Sequence, residues 1–146
     1  MTNGVVKKIS EIQQHLVVFT PSGLRGEVPD GTSVLDAARK FGVDLDSICG
    51  GRGICSRCKV KPAIGTFPKF GITTTNDCLN AWNEVEEKVK KKRSFKEGQR
   101  LGCQARIIGD VIIDIPSESQ VHKQVIRKRA EVRDVLVNPA TKLYYV

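Results

Sequence analysis

The chain has 146 residues, 40% hydrophobic and 27% charged, enough for one globular core with extensions and too few for two large lobes; this composition excludes wholesale disorder. Its longest apolar runs, Leu16–Phe19 and Val111–Ile113, are far short of the roughly 20 residues of a membrane helix, and MTNGVVKKIS lacks a signal-peptide core, so a cytoplasmic location is expected. A formal charge of +8 admits nucleic acid, an anionic membrane surface or an acidic protein as partner without choosing among them.

In chain order, HLVVFTPSGLRGEVPDGTSV predicts a hairpin, with strands over Leu16–Phe19 and Leu24–Val28 and a turn at Pro21-Ser22-Gly23. Pro29-Asp30-Gly31 ends it. Thr32 or Ser33 then caps a short helix whose apolar face is Val34, Leu35, Ala38 and Phe41 and which Gly42 stops. A cysteine-containing loop runs from about Asp46 to Cys58, and CKVKP leaves it as a strand. Residues 65–75 read as loop. A second helix is predicted over Asn76–Arg93, because Cys78, Trp82, Val85 and Val89 recur on one helical face. RLGCQARIIGDVIIDIP predicts two strands joined at Gly109-Asp110 as a hairpin, closed by Pro116. The polar, basic tail that follows reads as a linker.

CGGRGICSRC, residues 49–58, carries the chemistry. Cys49, Cys55 and Cys58 stand as C-x5-C-x2-C, with Cys103 far downstream. Five cysteines in a reducing compartment are poor disulfide material, so metal or redox chemistry is the better reading. Softness and tetrahedral geometry suit four thiolates to zinc or to iron-sulfur alike. Spacing separates the two. Structural zinc sites use two Cys-x2-4-Cys knuckles and only one is present, whereas three close cysteines plus one remote cysteine differ from the plant-type 2Fe-2S pattern by one residue in the first gap. Gly50, Gly51 and Gly53 provide a backbone able to turn its N–H groups onto negatively charged sulfur. Cys103, at the start of a predicted strand, is the better fourth ligand; Cys78 lies on the apolar helical stripe and reads as core.

Other groups are plainer. Arg52 and Arg57 read as surface arginines with a tuning or docking role open to them. His15 and His122 are single and far apart, and Asp44, Asp46 and Asp110 read as loop and turn residues, so no catalytic acid, base or nucleophile is assigned. The basic run KVKKKR, residues 88–93, reads as a solvated helix end or a docking surface for an acidic partner. With 5% aromatic residues it offers no stacking platform for nucleic acid. A zinc-stabilised nucleic-acid-binding module is the rival of another class.

CGGRGICSRC followed by RLGCQARI resembles the 2Fe-2S ferredoxins, over roughly residues 14–116; the resemblance implies an α+β, beta-grasp fold, with a mixed sheet and short helices. Together with VVFTPSGLRGEVPDGTSVLDAARKFGVDLDSI and IPSESQVHKQVIRKRA, these stretches are similar to the N-terminal part of the ASKHA-domain reductive activators of corrinoid proteins. That likeness gives Cys49, Cys55, Cys58 and Cys103 the ligand roles. It implies delivery of low-potential electrons, near about −400 mV for plant-type surroundings, from an upstream donor to the corrinoid protein of a methyltransferase system, returning Co(II) to Co(I). The alternative is a general ferredoxin serving an oxygenase or reductase. On this reading residues 1–13 are an N-terminal extension, 73–96 an insertion in the 14–116 domain, and 117–146 a linker. No phosphate-binding glycine motif occurs in the chain, so ATP coupling is expected outside it: the chain is either an N-terminal fragment whose ATP-binding domain lies downstream or a stand-alone carrier.

Overall fold

The computed structural model describes residues 13–121, 141, 144 and 145. Apart from Gln13, the extension expected over 1–13 lies outside the described residues, as do His122 and most of the linker expected over 117–146.

The first hairpin forms as its sequence predicts, from β1 (Gln14–Thr20) and β2 (Arg25–Pro29), with Leu16 opposite Glu27. Ser33 caps α1 (Val34–Lys40): its hydroxyl accepts from the Asp36 N–H at 3.0 Å and donates to the Asp36 carboxylate at 2.6 Å. Beyond the cysteine loop come β3 (Lys59–Ala63), β4 (Gly65–Phe67), β5 (Ile72–Thr74), α2 (Glu84–Lys92), β6 (Arg100–Leu101) and β7 (Val111–Asp114). The main sheet has the order β2-β1-β7-β3-β6; β7 runs parallel to β1, and the other pairs are antiparallel.

Both faces of this sheet are covered, which is why β1 and β7 read as unbroken apolar runs rather than alternating ones. Val17, Phe19, Val111 and Ile113 pack with Val34, Ala37 and Ala38 of α1, whereas Val18 and Ile112 point to the other face and meet Ile72, Phe67 and Phe70. Each of the fully buried Val, Ile and Phe side chains among these stabilises the fold by about 1.5–3 kcal/mol. The segment expected as loop over 65–75 is therefore the β4–β5 hairpin, and it shields the second face.

Two further expectations are corrected. The stretches on either side of Gly109-Asp110 do not pair as a hairpin. β6 lies at the sheet edge on β3, and β7 inserts between β3 and β1. The helix expected over 76–93 is shorter: Asn76–Cys78 form one 3-10 turn, Leu79 pairs with Ile107 in extended form, and α2 begins only after Asn83, whose side chain accepts from the Glu86 N–H at 2.9 Å. Burial of Cys78 and Leu79 in the main core takes them out of the helix. Trp82 precedes α2 and is 41% exposed, with Lys90 and Arg100 near its ring.

Candidate metal centre

The sheet brings the distant cysteine to the loop. Lys59 pairs with Leu101 and Val60 with Arg100, and the Gly102 N–H donates to the Cys58 carbonyl at 2.7 Å, so Cys103 follows directly from a strand clamped beside Cys58. The same turn receives the start of α1: the Val34 and Leu35 N–H groups donate to the Ala105 and Gly102 carbonyls at 3.0 and 2.9 Å. In the loop, Gly50, Gly51 and Gly53 have φ of 66°, 97° and 71°, the left-handed region in which a backbone can curl around sulfur without a Cβ penalty.

Cys49, Cys58 and Cys103 are buried and Cys55 is less so; all four are free thiols. Their protons are coupled as two pairs, Cys49 with Cys55 and Cys58 with Cys103, and the pairs influence each other through Cys55–Cys58 and Cys49–Cys103. Burial works against a Cys49 thiolate, but donors from the Ile54, Cys55 and Gly51 backbone and the Cys55 thiol outweigh it and bring its pKa down to about 6. The Cys58 thiol, donating to Cys103, lowers Cys103 to about 7, against burial and with help from Gln104 and the Gly53 N–H. Cys58 is pushed up, first by that shared proton and then by burial. The Arg57 N–H reaches Cys55 Sγ at 3.5 Å, and Gln104 Nε2 reaches Cys103 Sγ at 3.7 Å.

Among the described residues no group of three or more His, Cys, Asp or Glu side chains converges on a single-ion site. Two thiol pairs, each able to serve one iron, together with N–H donors aimed at sulfur, fit a binuclear sulfide cluster.

Residues 18–107 match the family of 2Fe-2S iron-sulfur cluster binding domains. The chain belongs to that family. This ferredoxin domain has the beta-grasp fold, carries a 2Fe-2S cluster and transfers electrons. It is similar to the ISC-like 2Fe-2S ferredoxin FdxB of Pseudomonas putida JCM 20004, with 30% identity and a TM-score of 0.58 over 74% of this chain and 97% of that one. A component of the Na(+)-translocating NADH-quinone reductase of Marinomonas sp. (strain MWYL1) is 30% identical over 90 residues, 62% of this chain; the chain spans only 19% of that relative's length. A reductive activator for a corrinoid, iron-sulfur protein shares the fold, with a TM-score of 0.52 and 22% identity over 73% of this chain and 15% of that one.

Four of the remaining sequence candidates, Cys78, Arg52, His15 and Asp110, have structural roles or partners. Cys78 stands apart in the main core, where burial pushes its thiol up. Arg52 donates to the Cys49 carbonyl at 3.1 Å, so it braces the loop, and buried His15 bonds Asp30 at 2.9 Å. Asp110 accepts from the Leu16 N–H at 2.8 Å. A cleft of about 490 Å³ beside Trp82, Ile64 and Ile108 includes none of the four paired cysteines, whereas one of about 300 Å³ opens beside Cys55, Arg57, Lys59 and Arg93.

Sequence reasoning misses Gln104, although it adjoins Cys103 and carries an amide donor. It also misses Glu86, which lies fully buried and holds Arg100. The only sequence signal for Glu86 is a place three positions before Val89, on the same helical face. No helix among the described residues is long and apolar enough to cross a membrane.

Proposed function

We propose that Cys49 and Cys55 hold one iron of the cluster and Cys58 and Cys103 the other, and that the domain supplies single low-potential electrons to the corrinoid protein of a methyltransferase system, returning Co(II) to Co(I). The observation that carries the ligand assignment is the clamping of β6 beside Cys58, which sets Cys103 next to a loop whose Gly50, Gly51 and Gly53 turn at positive φ. When bound, the cluster takes up and gives back one electron at a time. The chain's residues hold the sulfurs, shield three of them from water, and direct N–H groups toward them. Cys55 is the least buried of the four, and around it Ile48 and Ile54 are exposed, with Arg52 and Arg57 close by in the sequence. Exposed apolar and basic side chains in the same loop suit an acidic redox partner, which the polypeptide's net positive charge would steer in.

The corrinoid acceptor is supported by the resemblance of CGGRGICSRC, RLGCQARI and the flanking stretches to the reductive activators. ATP coupling on that reading belongs to a downstream ATP-binding domain. A second reading, a general ferredoxin for an oxygenase or reductase, is favoured by the 30% identity to a ferredoxin of which this chain covers 97%.

Iron and sulfide analysis with low-temperature EPR, before and after dithionite reduction, tests the cluster: two irons, two sulfides and a signal only after reduction are expected, and one bound zinc with no signal refutes it. Mixing the reduced protein with a Co(II) corrinoid protein, in the presence of ATP and the ATP-binding domain of a reductive activator, separates the acceptors. Loss of the Co(II) signal is expected, and its persistence while a ferredoxin-dependent oxygenase is reduced favours the second reading.

A further inference from the structure

We infer that Asn83 and Gln104 form a hydrogen-bond relay from the cap of α2 to Cys103 Sγ that raises the cluster's reduction potential, Asn83 acting as a positioning residue for the Gln104 amide. The inference rests on the proposed ligand role of Cys103.

The relay is anchored where no side-chain flip can reverse it. The Glu86 backbone N–H can only donate, and it donates to Asn83 Oδ1 at 2.9 Å. The other arm of the Asn83 amide is therefore its NH2, which donates to Gln104 Oε1 at 3.1 Å. That leaves the Gln104 NH2 facing the loop, 3.5 Å from the Gly51 carbonyl and 3.7 Å from Cys103 Sγ. Each orientation fixes the next. The glutamine is held from outside too: the Asn80 amide donates to its backbone carbonyl at 3.5 Å. Against the same spot, a Cβ on Gly53 would stand 2.6 Å from Val85 and 3.1 Å from Gln104 Nε2, so α2 and the loop are packed without a spare atom between them.

Reduction adds one electron and one negative charge and breaks no bond, the electron coming from an external one-electron donor. A neutral donor aimed at a ligand sulfur stabilises the more negative state more strongly, so it raises the potential. The segment 73–96, read from the sequence only as an insertion, thus supplies the group that aims the donor.

Potentiometric titration of the holoprotein, read by visible absorbance and EPR, tests this. Gln104→Leu should keep full iron and sulfide and show a three- to tenfold lower ratio of reduced to oxidised cluster at a fixed potential, the tenfold limit being about 59 mV for one electron. Asn83→Ser preserves a good helix cap but has no second arm, and should lower the ratio by a smaller factor with a changed EPR g-anisotropy. In the double variant the Asn83 change should add nothing to the Gln104 change. An unchanged potential in Gln104→Leu, or a fully additive double variant, overturns the inference. If Gln104→Leu does not hold the cluster, the isosteric Gln104→Glu replaces it, and an unchanged potential there, or in Asn83→Ser alone, overturns the inference equally. Cys103→Ser distinguishes the levels: full iron and sulfide in that variant defeats the ligand assignment itself, whereas its loss beside unshifted Gln104 variants defeats only the relay.

Discussion

Glu86 and Arg100 form a bidentate ion pair inside the domain, with Nε to Oε1 at 2.8 Å and Nη2 to Oε2 at 2.7 Å. Oε1 also accepts from the Leu101 N–H at 3.1 Å, and Arg100 Nη1 donates to the Asn80 carbonyl at 2.9 Å. Through these bonds α2 is riveted to β6, two residues before Gly102 and three before Cys103. Glu86→Ala leaves a buried guanidinium without its counter-charge and should cost about 3–5 kcal/mol in urea unfolding, whereas the paired change Glu86→Leu with Arg100→Met should cost far less. Equal losses for the single and the paired variants would contradict a buried-charge origin.

Cys78→Ser and Cys103→Ser should differ in kind. The first places a hydroxyl in the main core, lowering stability by about 1–3 kcal/mol while iron and sulfide content stay at the wild-type level. The second should lose iron and sulfide. Equal metal content in the two variants would refute the assignment of ligands.

Gly53→Ala meets two obstacles, a φ of 71° and a new methyl 2.6 Å from Val85 Cγ1. The left-handed conformation alone costs about 1–2 kcal/mol, so a measurable fall in thermal midpoint and faster cluster loss on dilution are expected. Adding Val85→Ala removes the clash but not the strain, so partial recovery should follow; no recovery would place the whole effect in the backbone.

The cluster-free, reduced protein should become more stable as pH rises from 6 to 8. Cys49 at about 6 and Cys103 at about 7 lie below the ordinary thiol value of about 8.5. Over that window the unfolded chain binds more protons, so the contribution is complete above the ordinary value and is lost as pH falls through the folded pKa values. Cys58, pushed up, works in the opposite sense only from the ordinary value upward. Urea midpoints at pH 6 and 8 check this, and Cys49→Ser should flatten the slope.

Much of this was legible because it is local. The hairpin β1–β2, the Ser33 cap and the thiol spacing each depend on residues a few positions apart, and periodicity and turn chemistry read them directly. What was hidden is non-local. Leu79 leaves the apparent helix to pair with Ile107, β7 crosses to the middle of the sheet, and β4–β5 form only because Val18 and Ile112 need a cover. Glu86 sits among lysines and glutamates and reads as solvent-facing, although its partner lies 14 residues on. A charge is marked as buried only by the residue that neutralises it.

The strand of the main sheet that is synthesised last is the central one. A nascent chain that has cleared the ribosome only through Cys58 exposes three thiols with neither β7 to seat β3 against β1 nor β6 to carry the fourth sulfur. On the proposed ligand set, iron delivered that early would meet an open loop, insertion of the cofactor would await release of nearly the whole domain, and truncation anywhere before Asp114 should yield colourless protein.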